Sequence, residues 1–143
     1  MKAKYALRAL CALAQAYPQR VQARRIAVET RVPEKFLEAI LVDLRKAGFV
    51  ASTRGIVGGH ALARPATEMM IGDVIRAIDG PLAPIRCASV TAYQPCAECP
   101  DPERCSLRFL MADVRDAMSG VLDQRTLAQF AGATGPSPAA LTR

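Results

Sequence analysis

The sequence contains no tryptophan, and phenylalanine and tyrosine bring its aromatic content to only 5%. Its apolar faces must therefore be sought among aliphatic residues and methionine. It has a single histidine, His60. No Ser/His/Asp, Cys/His or paired-carboxylate arrangement stands out, so an enzyme is not expected. No segment is long and apolar enough to span a bilayer, and no membrane partner is expected. The first residues, MKAKYALRALCALAQAYPQ, share lysines, an apolar stretch and a small-residue motif with signal peptides. Arg8 interrupts that stretch, however, and Tyr5, Ala9, Leu10 and Leu13, with Ala6 and Ala14, fall on one helical face. The segment reads as the first helix of a cytoplasmic domain. Acidic side chains are scarce early in the chain: residues 1–64 carry twelve Lys/Arg against four Asp/Glu, whereas residues 65–143 carry seven against nine. Such a split fits a polyanion meeting one half only. What is abundant is apolar side chain, 51% of 143 residues with 22% charged. That is enough for one globular domain, or a small domain with a dimerisation element, and is not the composition of a disordered chain.

After Pro18, VQARRIAVETRV reads as a short helix and VPEKFLEAILVDLRKAG as a longer one. Pro33 suits a first helical turn, Glu34 the positive end of the helix dipole, and Gly48 the position just past the end. Phe36, Leu37, Ile40, Leu41 and Leu44 form an apolar stripe. Two helices about three residues apart make a helix-turn-helix pattern, in which the second helix enters the DNA major groove. FVAS and HALA are then short strands around TRGIVGG, whose glycines permit a tight hairpin tip. A hairpin in that place is a wing, and Arg54 at its tip suits a narrow A·T-rich minor groove. TEMMIGDVIRAIDGPL gives a further short helix, with Asp73 able to cap it and Val74, Ile75 and Ile78 facing inward.

Four of the five cysteines lie within residues 87–105, CASVTAYQPCAECPDPERC, in the pattern Cys87-x8-Cys96-x2-Cys99-x5-Cys105. Pro95, Pro100 and Pro102 make this a loop. In a reducing cytosol such a group points to metal or redox chemistry before structural disulfides. Thiolates are soft ligands suited to iron–sulphur clusters and zinc. All-cysteine zinc sites more often show two CxxC knuckles, and here there is one, CAEC. Cys105 is placed to begin the longest helix, whose dipole favours a thiolate. Cys11 stands apart as a small core residue. From Glu103 to about Leu122, apolar residues from Leu107 to Leu122 recur at helical spacing. The first domain cannot cover that whole stripe, so Met111, Val114 and Met118 are expected in a homodimer interface, which suits two-fold symmetric operators.

The segments KYALRAL, FLEAILVDLRKAGFV, RGIVGGHALARP and IGDVIRAIDGPL, with the cysteine loop before the last long helix, carry a resemblance over about residues 1–130. The chain resembles the BadM/Rrf-type family of winged-helix transcription regulators, whose members include IscR and NsrR. The resemblance implies a homodimer that binds a double-stranded DNA operator and holds an iron–sulphur cluster, [2Fe-2S] or [4Fe-4S], with DNA affinity following cluster state. The family's three cysteines fall on Cys87, Cys99 and Cys105. IscR-like members add a histidine three residues after the last cysteine, where this chain has Arg108. NsrR-like members draw an aspartate from the partner's first helix, where this chain has Lys4. Cys96 is additional and offers a fourth thiol. The resemblance also puts Glu38 at a position that adjusts sequence preference, Arg54 at the wing arginine, and His60 where tyrosine is usual. Lys35 and Arg45 are expected to meet phosphates.

The expected architecture is mainly α with a small β-hairpin wing. A winged helix-turn-helix occupies residues 1–80, a cysteine-rich cluster-binding loop 81–105, a dimerisation helix region 106–130 and a disordered tail 131–143. The expected function is a homodimeric DNA-binding transcription regulator controlled by an iron–sulphur cluster that senses iron, redox state or nitric oxide. The alternatives are a cluster-free thiol/disulfide switch and a zinc-stabilised winged-helix protein.

Overall fold

The computed structural model describes residues 2–132. All but the first two residues of the expected disordered tail lie outside that range. The order of elements is α1 (Lys2–Ala16), α2 (Ala23–Thr30), α3 (Glu34–Lys46), β1 (Val50–Thr53), β2 (Gly59–Leu62), α4 (Ile71–Asp79), α5 (Ser106–Leu122) and α6 (Leu127–Gly132). Single 3₁₀ turns lie at Ala66–Glu68, Arg86–Ala88 and Pro102–Arg104. The fold is mostly helical with one two-stranded antiparallel hairpin, as the sequence led one to expect. No helix among the described residues is long and apolar enough to cross a membrane.

The core forms around α1, which buries Ala3, Ala6, Ala9, Leu10 and Leu13. Three alanines on one face let α2, α3, α4, α6 and β2 all reach it. Its N-terminus has no acidic residue of its own. Asp79, the last residue of α4, supplies one by accepting from the Ala3 N–H at 3.1 Å, which satisfies an orphan donor at the positive end of the dipole. Leu37, Ile40, Leu41 and Leu44 of α3 are buried as the stripe requires, but Phe36 is 66% exposed. It sits at the edge of the stripe, where a period of 3.6 leaves it beside the core and not in it. α3 stops at a Schellman motif: Gly48, at φ +85°, donates to the Arg45 carbonyl and Phe49 donates to that of Leu44.

The hairpin pairs Val50 with Leu62 and Thr53 with Gly59. Val21 and His60 exchange two backbone hydrogen bonds at 2.8 Å, which docks the hairpin on the segment between α1 and α2. Two details of the later helices differ from the expectation. Asp73 does not cap α4: Met70 holds the N-cap position and Asp73 lies inside the first turn, where it meets Arg76. α5 begins at Ser106 and not near Glu103, because Pro102–Arg104 is a separate 3₁₀ turn, capped by Asp101 accepting from the Glu103 N–H. α6 has no counterpart in the sequence reading. Thr126 and Gln129 form a reciprocal capping box at its start. Leu127 is fully buried in the core, and its N–H donates to the Met69 carbonyl. The chain therefore leaves the first domain for α5 and comes back to it.

Candidate DNA-reading surface and cysteine pocket

Between α3 and the hairpin runs a groove of about 360 Å³ whose walls include Glu38, Arg45, Arg54 and His60. Four of the five residues expected to meet DNA thus converge on one feature. The fifth, Lys35, is exposed about one turn before Glu38 on α3 and does not line the groove. Ser52 also lines it, with its hydroxyl 2.7 Å from His60 Nδ1. Burial, and the positive charge of Arg45, hold the His60 imidazole below its ordinary pKa. Side chains of both charges and hydrogen-bonding types in one groove, on the face where a recognition helix is free, can contact phosphates and base edges.

The cysteines define a second feature. Cys87, Cys96, Cys99 and Cys105 all line a single cavity of about 810 Å³ between the loop and the start of α5. Cys105 holds the N-cap position of α5 with an extended backbone. Cys99 closes a turn by donating its N–H to the Cys96 carbonyl. Burial pushes the Cys99 thiol up, against the pull of the Asp101 backbone N–H, and the neighbouring Cys105 and Cys96 thiols push the same way. Among the described residues no three His, Cys, Asp or Glu side chains are gathered at a point where they would hold one metal ion. The thiols line one cavity together, a soft donor set that suits an iron–sulphur cluster or zinc. Cys11 lies elsewhere, in α1 against the core, where burial raises its pKa.

Two arginines fasten this loop to α5. Arg108 donates to the carbonyls of Cys87 at 3.0 Å and Pro102 at 3.1 Å, so it joins the two arms of the cavity it lines. Arg115, two turns on, donates to the Ala88 carbonyl. The far end of α5 is held differently. Asp123 accepts two hydrogen bonds of 2.7 Å from Arg76 of α4. Between these ends no residue of α5 is buried: Val114 and Met118 are exposed, and Met111 is half-buried. Leu107, Leu110 and Val121 extend the exposed apolar face. Sequence reasoning missed the arginine straps and the Arg76–Asp123 pair. Only the seven-residue spacing of Arg108 and Arg115, which puts both on one helix face, was there to be found.

A free recognition helix, a wing that shares its groove, and a mostly basic first half define a winged-helix DNA-binding protein. Residues 1–133 match the family described as Rrf2, iron-dependent transcriptional regulator, and the chain belongs to that family. An Rrf2-like HTH-type transcriptional regulator of Rhodobacter capsulatus is 42% identical over 140 residues, which cover 95% of this chain and 93% of the relative. The solved structure of CymR, the global cysteine regulator of Bacillus subtilis, has a TM-score of 0.75 at 31% identity, covering 94% of this chain and 96% of that one. The structure of T. potens IscR has a TM-score of 0.72 at 27% identity, covering 99% and 93%. The family and these relatives are transcriptional regulators, not enzymes.

Proposed function

We propose that the chain acts in the cytoplasm as a homodimeric transcription regulator whose grip on its operator is set by an iron–sulphur cluster held by Cys87, Cys96, Cys99 and Cys105. The observation that carries this reading is the meeting of all four loop thiols on one cavity at the N-terminus of α5. A cluster of either nuclearity bound there supplies a centre that changes charge or is lost under oxidant, nitric oxide or iron shortage. The chain's own residues carry the consequence outward. Arg108 and Arg115 bind the cysteine turn to one end of α5. Arg76 and Asp123 bind the other end to the domain that bears α3. In a dimer closed over the apolar face of α5, a change in the loop alters how the two α3 helices are spaced. Half-sites lie about one helical turn apart, ~34 Å, so a small change costs much affinity.

A second reading has its own support. Cys99 and Cys105 line the same cavity, and the likeness to CymR spans nearly the whole chain. A cluster-free switch that joins these two thiols in a disulfide fits both facts. Zinc alone is the third reading, since the loop has one CxxC, CAEC, where all-cysteine zinc sites more often show two.

Purification without oxygen, followed by assay of iron, acid-labile sulphide and zinc, separates the three. Iron and sulphide with visible absorption are expected. Cys87→Ala, Cys99→Ala and Cys105→Ala should each abolish that absorption, Cys96→Ala should weaken or alter it, and Cys11→Ala should leave it unchanged. Stoichiometric zinc without iron or sulphide overturns the reading. Colourless, metal-free protein that forms a Cys99–Cys105 disulfide with peroxide favours the second.

A further inference from the structure

The wing tip presents two apolar side chains that the fold does not use. Ile56 is 100% exposed and Val57 is 88% exposed. At a hairpin end, Gly, Asn, Asp or Ser would meet the turn geometry at no hydrophobic cost. The support beneath the pair is well built. The Gly58 N–H donates to the Gly55 carbonyl at 3.0 Å, closing a turn with Ile56 and Val57 at its centre. Gln22 Nε2 donates to the Gly58 carbonyl at 2.6 Å and ties the tip to the residue before α2. A Cβ on Gly58 would come within 2.2 Å of the Thr53 carbonyl oxygen, and Gly59 holds φ +141° against the Val21 carbonyl. The glycines let the hairpin close tightly, and the two β-branched residues are held out on a braced tip.

We propose that Ile56 and Val57 are an apolar reader of the DNA minor groove that selects A·T over G·C pairs. Duplex DNA is the occupant that charge and position favour. Arg54, at the foot of the tip, lines the groove beside α3 with Glu38 and Arg45, so the tip continues the DNA-reading surface. Arg20 lines a shallow recess with Ile56 and Val57 on the other flank. An apolar point between two guanidinium groups matches the floor of a groove walled by phosphates. It does not match an apolar protein surface, which would leave both arginines without partners.

The selectivity follows from what the minor groove displays. Both kinds of pair offer acceptors there, but G·C adds the guanine N2 amino donor. Aliphatic side chains laid on an A·T floor cover apolar C–H and sugar. Laid on a G·C floor they take water from the amino group and return no acceptor, which costs binding energy. Arg54 alone reads groove width and potential; Ile56 and Val57 add a chemical exclusion. The inference rests on DNA binding with the wing in the minor groove.

The test uses the full chain and a duplex selected by it from a random pool. Pairs under the wing are then changed from A·T to G·C, and separately to inosine·C. Inosine lacks the N2 amino group, so its minor-groove edge resembles that of A·T while its major-groove edge resembles that of G·C. Wild type should lose roughly tenfold in affinity on G·C, the scale of one mismatched position, and recover it on inosine·C. The Ile56→Ser/Val57→Ser variant should shrink the loss on G·C to the part that Arg54 reads from groove width and potential, and should melt at the wild-type temperature, since both side chains lie in water. Arg54→Ala should weaken all three and still show a loss on G·C that inosine·C restores. Equal wild-type binding to the three duplexes overturns the proposal and leaves DNA binding intact. So does a double variant that retains the full wild-type A·T preference, or one that keeps DNA binding and loses only a protein partner. Failure of every form to bind any duplex overturns the reading beneath it as well.

Discussion

Asp123 shows how much one side chain can fix. Its two oxygens each accept from Arg76 at 2.7 Å, and this pair is the main side-chain link between α4 and the end of α5. It lies so close over the start of α4 that a Cβ on Gly72 would come within 1.9 Å of Asp123 Oδ1. A side chain there would have to displace the Asp123 carboxylate, so glycine serves contact and not backbone conformation. The Arg76 guanidinium holds the Asp123 carboxyl below its ordinary range, against the opposing effect of burial. A carboxylate whose pKa falls on folding stabilises the native state above its unfolded pKa, about 3.9, and loses that contribution as pH drops through the folded value. The Asp123 side chain is 41% exposed, so the contribution at neutral pH is only about 1 kcal/mol. Denaturant unfolding should therefore show Asp123→Asn less stable than wild type at pH 7, with the gap closing as pH falls toward 3. A gap that does not change with pH would contradict the assignment. Neither residue was evident from sequence, because Gly72 and Asp123 are far apart in the chain and each is unremarkable in its own segment.

The elements themselves were largely legible. Apolar spacing located α1, α3 and α5, and the glycines of TRGIVGG located the hairpin, because these signals are local. The return of the chain through α6 was not, although Thr126 and Gln129 carry the capping-box spacing. Six residues are too few to show a periodicity, and Leu127 reveals its role only against Met69 and α1. Phe36 misled for the converse reason: its spacing fits the stripe, but it falls on the edge of the helix face. The four cysteines were visible as a group, and their shared cavity was not, since the loop path depends on Arg108 and Arg115. α5 is the element with most left to explain, for its apolar face is open from Leu107 to Val121. Val114→Asp would put an unpaired charge into a two-fold interface along that face, at a cost of several kcal/mol. Sedimentation should then show monomers, with operator binding lost and the fold retained, because Val114 is outside the core. A variant that remains dimeric would place the interface elsewhere.

At the scale of the whole molecule, a basic reading head and a cysteine-lined pocket are joined by one helix clamped at both ends. The positive excess of residues 1–64 is carried mainly by α1, α2 and the segments beside them, since α3 holds three Lys/Arg against three Asp/Glu and the hairpin adds only Arg54. Each phosphate these cations neutralise releases counterion, so affinity should fall steeply as salt rises. The pocket meets α5 through Cys105, Arg108 and Arg115, and α5 meets the reading head through Arg76 and Asp123. Under the proposed function, this continuity is the route by which the state of the cysteine loop sets DNA affinity. The most direct measurement is the affinity of one selected duplex for protein purified without oxygen, before and after removal of its cluster, at a single fixed salt concentration. The two forms should differ by roughly tenfold or more, the scale of a typical coupling of 1–3 kcal/mol between sites, and the difference should vanish in Cys105→Ala. Equal affinity in both forms, with the cluster shown to be present in one and absent from the other, would contradict a switch in the cysteine loop.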